Sequence, residues 1–148
     1  MSNFKVILAA AAVLVLSIVL AGCIDQGGNN NLGPTNENAV LKIAHSVPSQ
    51  ATVGETFTVS ITVTAKKRVS AVSVREALSG LTLVDAGSFI GIDQNTLRGL
   101  MLEPSAGESE TFSYDASCEH PIRYTITGFA ETPEGRVWES VEVNCVEA

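Results

Sequence analysis

The sequence predicts an all-β protein, an antiparallel β-sandwich of about seven or eight strands that follows an N-terminal signal helix and a disordered linker. Three observations lead to this fold class. Residues 56–65 alternate between apolar and hydroxyl side chains, shorter alternating runs follow along the chain, and turn-forming residues separate these runs. A period of two places one face of a strand in a hydrophobic core and the other in water. Beyond the N-terminal segment, no stretch keeps the 3.6-residue period of an amphipathic helix.

Residues 1–22 have the parts of a signal peptide. A short basic start ends at Lys5, an apolar run covers residues 6–20, and small residues lead to Cys23. The sequence Leu-Ala-Gly-Cys at 20–23 resembles the lipobox of prokaryotic lipoproteins, which implies a diacylglyceryl group on Cys23 and cleavage before it. The alternative is an uncleaved anchor helix, because the apolar run extended to Ile24 is nearly long enough to span a bilayer. Both interpretations place the rest of the chain at the outer face of the cell membrane.

Residues 23–38 are predicted to form a flexible tether, and residues 39–148 the folded domain. The tether is rich in Gly and Asn and has few apolar side chains, so it cannot bury enough surface to offset the cost of ordering. Lys5 is the only charged residue before Cys23, and the rest of the chain carries twice as many acidic as basic residues. An acidic domain repels phosphates, so no nucleic-acid partner is expected.

The strongest strand signal is the run from Phe57 to Ala65, and weaker alternating runs on both sides complete the sandwich. Their spacing, with turns at close intervals, is typical of a β-sandwich of the immunoglobulin type. The apolar positions that mark these other strands are Leu41 and Ile43; Val72 and Val74; Leu81 and Leu83; Leu97 to Leu102; Phe112, Tyr114 and Ala116; Ile122, Tyr124 and Ile126; Val141 and Val143.

Two cysteines remain once Cys23 is assigned to lipidation. Cys118 continues the apolar phase of its strand, and Cys145 continues that of Val141 and Val143, so both point inward. Outside the cell, two such thiols are expected to oxidise to a disulfide. The alternative is a pair of unlinked buried thiols. A metal site is not predicted, because neither cysteine belongs to a Cys-x-x-Cys motif or a His cluster.

Four segments carry a resemblance to a known family. They are residues 53–64 (VGETFTVSITVT), 78–86 (LSGLTLVDA), 102–112 (LEPSAGESETF) and 124–130 (YTITGFA). Together they resemble the conserved-repeat immunoglobulin-like domain of archaeal and bacterial surface proteins, catalogued as domain of unknown function eleven. The resemblance covers residues 39–146 and implies a prokaryotic envelope module of archaeal type, related to S-layer-associated and adhesion proteins. Family members often occur in tandem, whereas this chain has one copy, and residues 66–68 (KKR) replace the family's Asn-Thr-Gly turn.

The sequence contains no motif that predicts catalysis, a cofactor or a metal site. His45 and His120 stand apart from each other and from any nucleophile motif, so neither is expected to be catalytic or to matter for folding. Glu108 and Glu110 fall on one face of a strand as it begins. Exposed charge at a strand edge is the favoured interpretation, and the alternatives are a calcium site or a pair of acid groups. The segments 66–68 and 93–95 are predicted to be solvated turns.

Trp138 is the candidate contact residue for a partner. It shares the polar phase of its strand with Ser140 and Glu142, which predicts an indole on the outer face of the sandwich. Tryptophan is enriched in the energetic centres of protein interfaces. The sequence therefore favours a non-enzymatic, membrane-tethered module that binds another envelope protein or polymer. The alternatives are a lipid-anchored inhibitor of a protease or other hydrolase and, less favoured, an enzyme with an unrecognised site.

Overall fold

A computed structural model describes residues 35–148. The signal peptide, Cys23 and most of the tether, all predicted from sequence, lie outside the described residues. The described chain is all-β and contains ten strands: β1 (Leu41–Ser46), β2 (Gln50–Thr52), β3 (Thr56–Ala65), β4 (Ala71–Ala77), β5 (Thr82–Asp85), β6 (Gly91–Asp93), β7 (Thr96–Leu102), β8 (Ser109–Ser117), β9 (Arg123–Thr132) and β10 (Gly135–Val146). Among residues 35–148, no helix has the length and apolar character needed to cross a membrane.

The strands form two sheets that face each other. One sheet has four strands in the order β1-β3-β8-β5, and the other has six in the order β2-β10-β9-β4-β7-β6. Neighbouring strands are antiparallel except for β2, which pairs with the end of β10 in parallel. The antiparallel sandwich predicted from sequence is therefore confirmed, with this one parallel pair as a correction. The strand count exceeds the prediction because β2 and β6 are edge strands of three residues, too short for alternation to mark them.

The core lies between the sheets and contains the predicted alternating positions. Val59, Ile61 and Val63 on β3 are fully buried, while the hydroxyl residues between them lie on the outer face. The largest fully buried apolar or aromatic side chains come from both sheets: Tyr114, Phe112, Leu41, Ile43, Ile61, Leu97 and Ile126. A slip of one residue in any of these strands would expose its apolar set, so burial fixes the register. Ile122, which sequence alternation assigned to a strand, precedes β9 and is exposed.

A disulfide joins the end of β10 to the residue after β8. Cys118 and Cys145 are both buried, and their Cα atoms are 6.4 Å apart. The bond links the four-stranded sheet to the six-stranded sheet, as the inward phases of the two cysteines predicted.

Residues 35–38, assigned to the tether from sequence, make hydrogen bonds to the sandwich. The Trp138 amide donates to the carbonyl oxygen of Thr35 (3.0 Å), and the Ile43 amide donates to that of Asn36 (2.8 Å). Glu37 forms an isolated bridge with Lys42. We call residues 35–38 the strap, because they lie between β1 and β10 at the point where the chain enters the domain.

Candidate functional site

The outer face of the six-stranded sheet carries a row of arginine and aromatic side chains. Arg98 on β7 is the register partner of Arg75 on β4, Arg75 is the partner of Phe129 on β9, and Phe129 is the partner of Trp138 on β10. Residues directly opposite each other on antiparallel strands place their side chains on the same face. Four neighbouring strands therefore bring two guanidinium groups and two aromatic rings into one line.

Two shallow concavities lie along this row. One, of about 220 Å³, is lined by Arg75, Ala77, Thr96, Phe129, Glu131 and Arg136. The other, of about 410 Å³, shares Arg75 and Glu131 and extends past Leu100 to Pro133. Arg136 lies 5.8 Å from the centre of the Phe129 ring and pairs with Glu131 at 3.0 Å. Arg75 is exposed and, among the described residues, makes no ion pair.

Exposed apolar side chains border the row on β7. Leu100 is 39% exposed and Leu102 is 70% exposed, and both point to the outer face. We call the outer face formed by Arg75, Leu100, Phe129, Arg136 and Trp138 the arginine–aromatic face.

Trp138 lies on the outer side of β10, as predicted, but its side chain is half-buried rather than fully exposed to solvent. It is the neighbour of Phe129 and lines neither concavity. Arg75, Phe129 and Leu100 were missed because the sequence gives each one's phase within its strand but not which strands are neighbours. One signal could have found them: Arg75, Leu100 and Phe129 all lie at outward-facing positions of alternating strands, where an exposed apolar or aromatic residue is a candidate contact.

The outer face of the four-stranded sheet has a different chemistry. Polar side chains of β3 and β8 pair across the strands in regular hydrogen bonds of 2.7–2.9 Å. Thr58 donates to the carboxylate of Asp115, and three pairs join hydroxyl groups: Ser60 with Ser113, Thr62 with Thr111, and Thr64 with Ser109. These polar groups satisfy one another. The two outer faces are thus clearly distinguishable, one hydroxyl-rich and self-paired, the other with arginine, aromatic and aliphatic groups.

His45 does not stand alone, contrary to the sequence interpretation. Its side chain is fully buried between two glutamates of the opposite sheet. Nδ1 lies 2.9 Å from Oε2 of Glu139, and Nε2 lies 3.0 Å from Oε2 of Glu76. Glu76 is also fully buried, while the side chain of Glu139 is 21% exposed. Buried charges need such partners, since an isolated ion loses several kcal/mol of hydration.

Gly128 makes room for this cluster. It is the register partner of Glu76 on one side and of Glu139 on the other, so the three residues form one row across β4, β9 and β10. A Cβ atom at position 128 would lie 2.3 Å from Oε2 of Glu76 and 2.7 Å from Cε1 of His45. The imidazole from β1 therefore fills the space that a side chain would otherwise occupy.

Burial and charge change the pKa values in this cluster. Burial disfavours the imidazolium form of His45, but the hydrogen bonds and charges of Glu76 and Glu139 outweigh it, so the pKa of His45 is raised. Burial raises the pKa of Glu76, and the contact with His45 only partly opposes this. The Tyr114 hydroxyl is buried without a hydrogen bond within 3.5 Å. Burial and the nearby charge of Glu76 raise the pKa of Tyr114.

The other residues considered from sequence are placed in exposed turns and strand ends. Asp93 pairs with Arg98, Lys66 with Glu37 at 2.6 Å, and Lys67 with Glu134. Glu108 accepts a hydrogen bond from the amide of Ser105 in its own turn. His120 is exposed. Within residues 35–148, no three His, Cys, Asp or Glu side chains are arranged to hold a metal ion.

Comparisons with known proteins find the fold but no family. No family model matches the chain, and no curated protein matches its sequence. Among solved structures, the CARDB domain of a Pyrococcus furiosus protein, determined with di-metal ions, has a TM-score of 0.54 at 13% identity. The match covers 76% of this chain and 99% of that one.

Two further structures are similar. A solution structure of the same CARDB domain has a TM-score of 0.51 at 14% identity, covering 72% of this chain and 94% of that one. A cohesin module from a Clostridium perfringens family 33 glycoside hydrolase has a TM-score of 0.51 at 12% identity, covering 75% of this chain and all of that one. Likeness at such low identity shows the fold alone. The described domain is an immunoglobulin-like β-sandwich, and these structures share its fold.

Proposed function

We propose that this protein is a lipid-anchored envelope protein whose immunoglobulin-like domain binds another envelope protein through the arginine–aromatic face. The observation that carries the proposal is the alignment of Arg75, Phe129 and Trp138 across neighbouring strands beside two concavities. Arginine and tryptophan are enriched where protein interfaces gain most of their binding energy.

The chemistry of this face favours a protein partner with acidic side chains. Arg75 offers a guanidinium group that no described carboxylate neutralises, on a domain whose overall charge is negative. Guanidinium groups bind carboxylates with two parallel hydrogen bonds, and aromatic neighbours reduce competition from water. Exposed Leu100 and Leu102 add apolar area at one end of the face.

Capture from cells tests the binding face. The full-length chain, solubilised in detergent from its own envelope, is compared with Arg75→Glu, and Arg68→Glu serves as the matched control because Arg68 lies in the exposed turn before β4. We expect Arg75→Glu to reduce the captured protein by about tenfold or more, equivalent to about 1.4 kcal/mol. Trp138→Ala should weaken binding by about 2 kcal/mol or more, as truncation of an interface centre does.

Five results would contradict this assignment. Equal capture by wild type and Arg75→Glu would exclude the face, and a loss only in Arg68→Glu would move the contact to the turn. Recovery of a polysaccharide without protein would replace the protein partner by an envelope polymer. Recovery of a protease or other hydrolase that loses activity in the complex would favour the inhibitor alternative. A large fall in melting temperature for Trp138→Ala would place the indole in the core.

The membrane anchor is proposed from the sequence at residues 20–23, where Leu-Ala-Gly leads to Cys23. Two acyl chains bind a bilayer firmly, since each buried methylene contributes about 0.8 kcal/mol. We expect Cys23→Ser to block lipidation and cleavage, so the variant should migrate as the larger precursor and lack the lipid mass. A Cys23→Ser protein of wild-type size that still partitions into detergent would contradict the lipid anchor.

A further inference from the structure

The buried cluster of His45, Glu76 and Glu139 lies next to the strap. Oε2 of Glu139 accepts hydrogen bonds from both Nδ1 and the backbone amide of His45, the latter at 2.7 Å. The other oxygen, Oε1, accepts from the side-chain amide of Asn36 at 3.4 Å. One carboxylate thus links the imidazole, the backbone of β1 and the strap.

When both glutamates are ionised, the cluster satisfies its hydrogen bonds only while the imidazole carries its proton. An imidazolium has two N–H donors, and here each ring nitrogen faces a carboxylate oxygen. A neutral imidazole has one donor and one acceptor, so one nitrogen lone pair would face a carboxylate. Inside the core, where no side-chain surface of Glu76 reaches water, that arrangement is costly.

Few other groups near His45 could donate a hydrogen bond or supply a positive charge once the imidazole has lost its proton. The elements packed against the imidazole present Glu76 from β4 and Glu139 from β10, while β3 and β9 present Ile61 and Gly128. Tyr114 on β8 stays protonated beside Glu76, because burial and the charge of that carboxylate raise its pKa. No described basic side chain lies among these contacts.

We propose that His45, Glu76 and Glu139 form a proton-dependent clasp, in which the protonated imidazole holds β1 and the strap against β10 and loss of its proton releases the strap. Release would free the edge of β10 beside Trp138, whose amide donates to Thr35 of the strap. It would also lengthen the connection between the domain and the predicted tether. If the domain lies outside the membrane as proposed, the pH there would set how far the domain can extend from its anchor. The same pH would set whether the strap covers the edge of β10 beside the arginine–aromatic face.

The direction of the pH effect follows from the raised pKa values. Both His45 and Glu76 bind their protons more tightly in the folded domain than in the unfolded chain. Stability falls with pH wherever the folded state holds more protons. The contribution of His45 is complete below its ordinary pKa of 6.5 and is lost as pH rises through its raised value. That of Glu76 declines in the same direction, beginning above 4.5.

Site-resolved amide hydrogen exchange by NMR on the full-length chain in detergent tests the clasp. The amides of Ile43 and Trp138 report the strap directly, because they donate to the carbonyls of Asn36 and Thr35. After correction for intrinsic exchange, we expect their protection to fall by about tenfold or more between about pH 6 and pH 9, while amides of β3 keep theirs. The midpoint should coincide with the titration of the His45 ring in the same sample.

Two matched variants separate the clasp from general destabilisation. Glu139→Gln removes one charge that favours the imidazolium, so the midpoint should move to lower pH. Glu142→Gln makes the same change on the outer face of β10, where the side chain pairs with Arg123, and should leave the midpoint unchanged. Protection at Ile43 and Trp138 that does not vary with pH in the wild type would overturn the proposal. A midpoint of protection loss that differs from the midpoint of the His45 ring titration would also overturn it. Both comparisons use the wild type, so the test stands even if Glu139→Gln fails to fold.

Discussion

Gly128 shows how one missing side chain shapes the interior. It lies in the centre of the six-stranded sheet, on the inward phase of β9 between Ile126 and Ala130. Its φ is not in the left-handed region, so backbone freedom does not explain it. The requirement is space, because a Cβ would lie 2.3–2.7 Å from Glu76, Ile61 and His45.

Gly128→Ala is therefore expected to destabilise the domain by about 1–3 kcal/mol, the usual cost of overpacking a core. Gly91→Ala is the matched control, since Gly91 on β6 has open space around its Cβ position. That change should alter stability by no more than about 0.5 kcal/mol. Thermal or denaturant unfolding of the full-length chain gives both values. Equal effects of the two substitutions would show that Gly128 makes no room for the cluster.

The buried cluster also shows where sequence reasoning reached its limit at single residues. Glu76 lies on the inward face of β4 with Val72 and Val74, and Glu139 lies on the inward face of β10 with Val137 and Val141. The sequence alone therefore showed that each strand places a glutamate among apolar residues. The sequence could not show that His45 contacts both glutamates. His45 meets Glu76 across 31 residues and Glu139 across 94, and these contacts depend on the topology of both sheets.

At the scale of elements, β10 connects most parts of the described domain. It pairs with β9 along its length, with β2 at its end and with the strap through Trp138. Near its end, Cys145 bonds to Cys118, from which it is separated by 27 positions in the sequence, and so closes a loop. Such a loop stabilises the folded state by about 3–4 kcal/mol in the chain-entropy model, which is a large part of the stability of a small domain.

The longer strands were predictable and the shortest were not, for a physical reason. β3, β8 and β9 each run for nine or ten residues, so alternation between core and solvent repeats several times. β2 and β6 are three residues long and partly exposed, and their pairing comes from neighbouring strands rather than from their own pattern. The parallel pairing of β2 with β10 likewise has no local signature.

At the scale of the whole domain, residues 35–148 present two outer faces of different chemistry on one core. The hydroxyl pairs of β3 and β8 satisfy one another, whereas the arginine–aromatic face leaves Arg75, Leu100 and the Phe129–Trp138 pair beside open concavities. Exposed apolar area next to Arg75, which makes no ion pair with any described carboxylate, is typical of a binding surface. On this account, a tethered domain orients one of its two faces towards its partner.

Photo-crosslinking in intact cells tests that account most directly. A photoreactive residue replaces Leu100 on the arginine–aromatic face in one full-length variant, and Thr58 on the outer face of the four-stranded sheet in another. Both positions are exposed, so substitution should change stability by no more than about 0.5 kcal/mol. We predict a discrete protein adduct from position 100 and none from position 58. An adduct from position 58 with none from position 100 would contradict the assignment of the binding face.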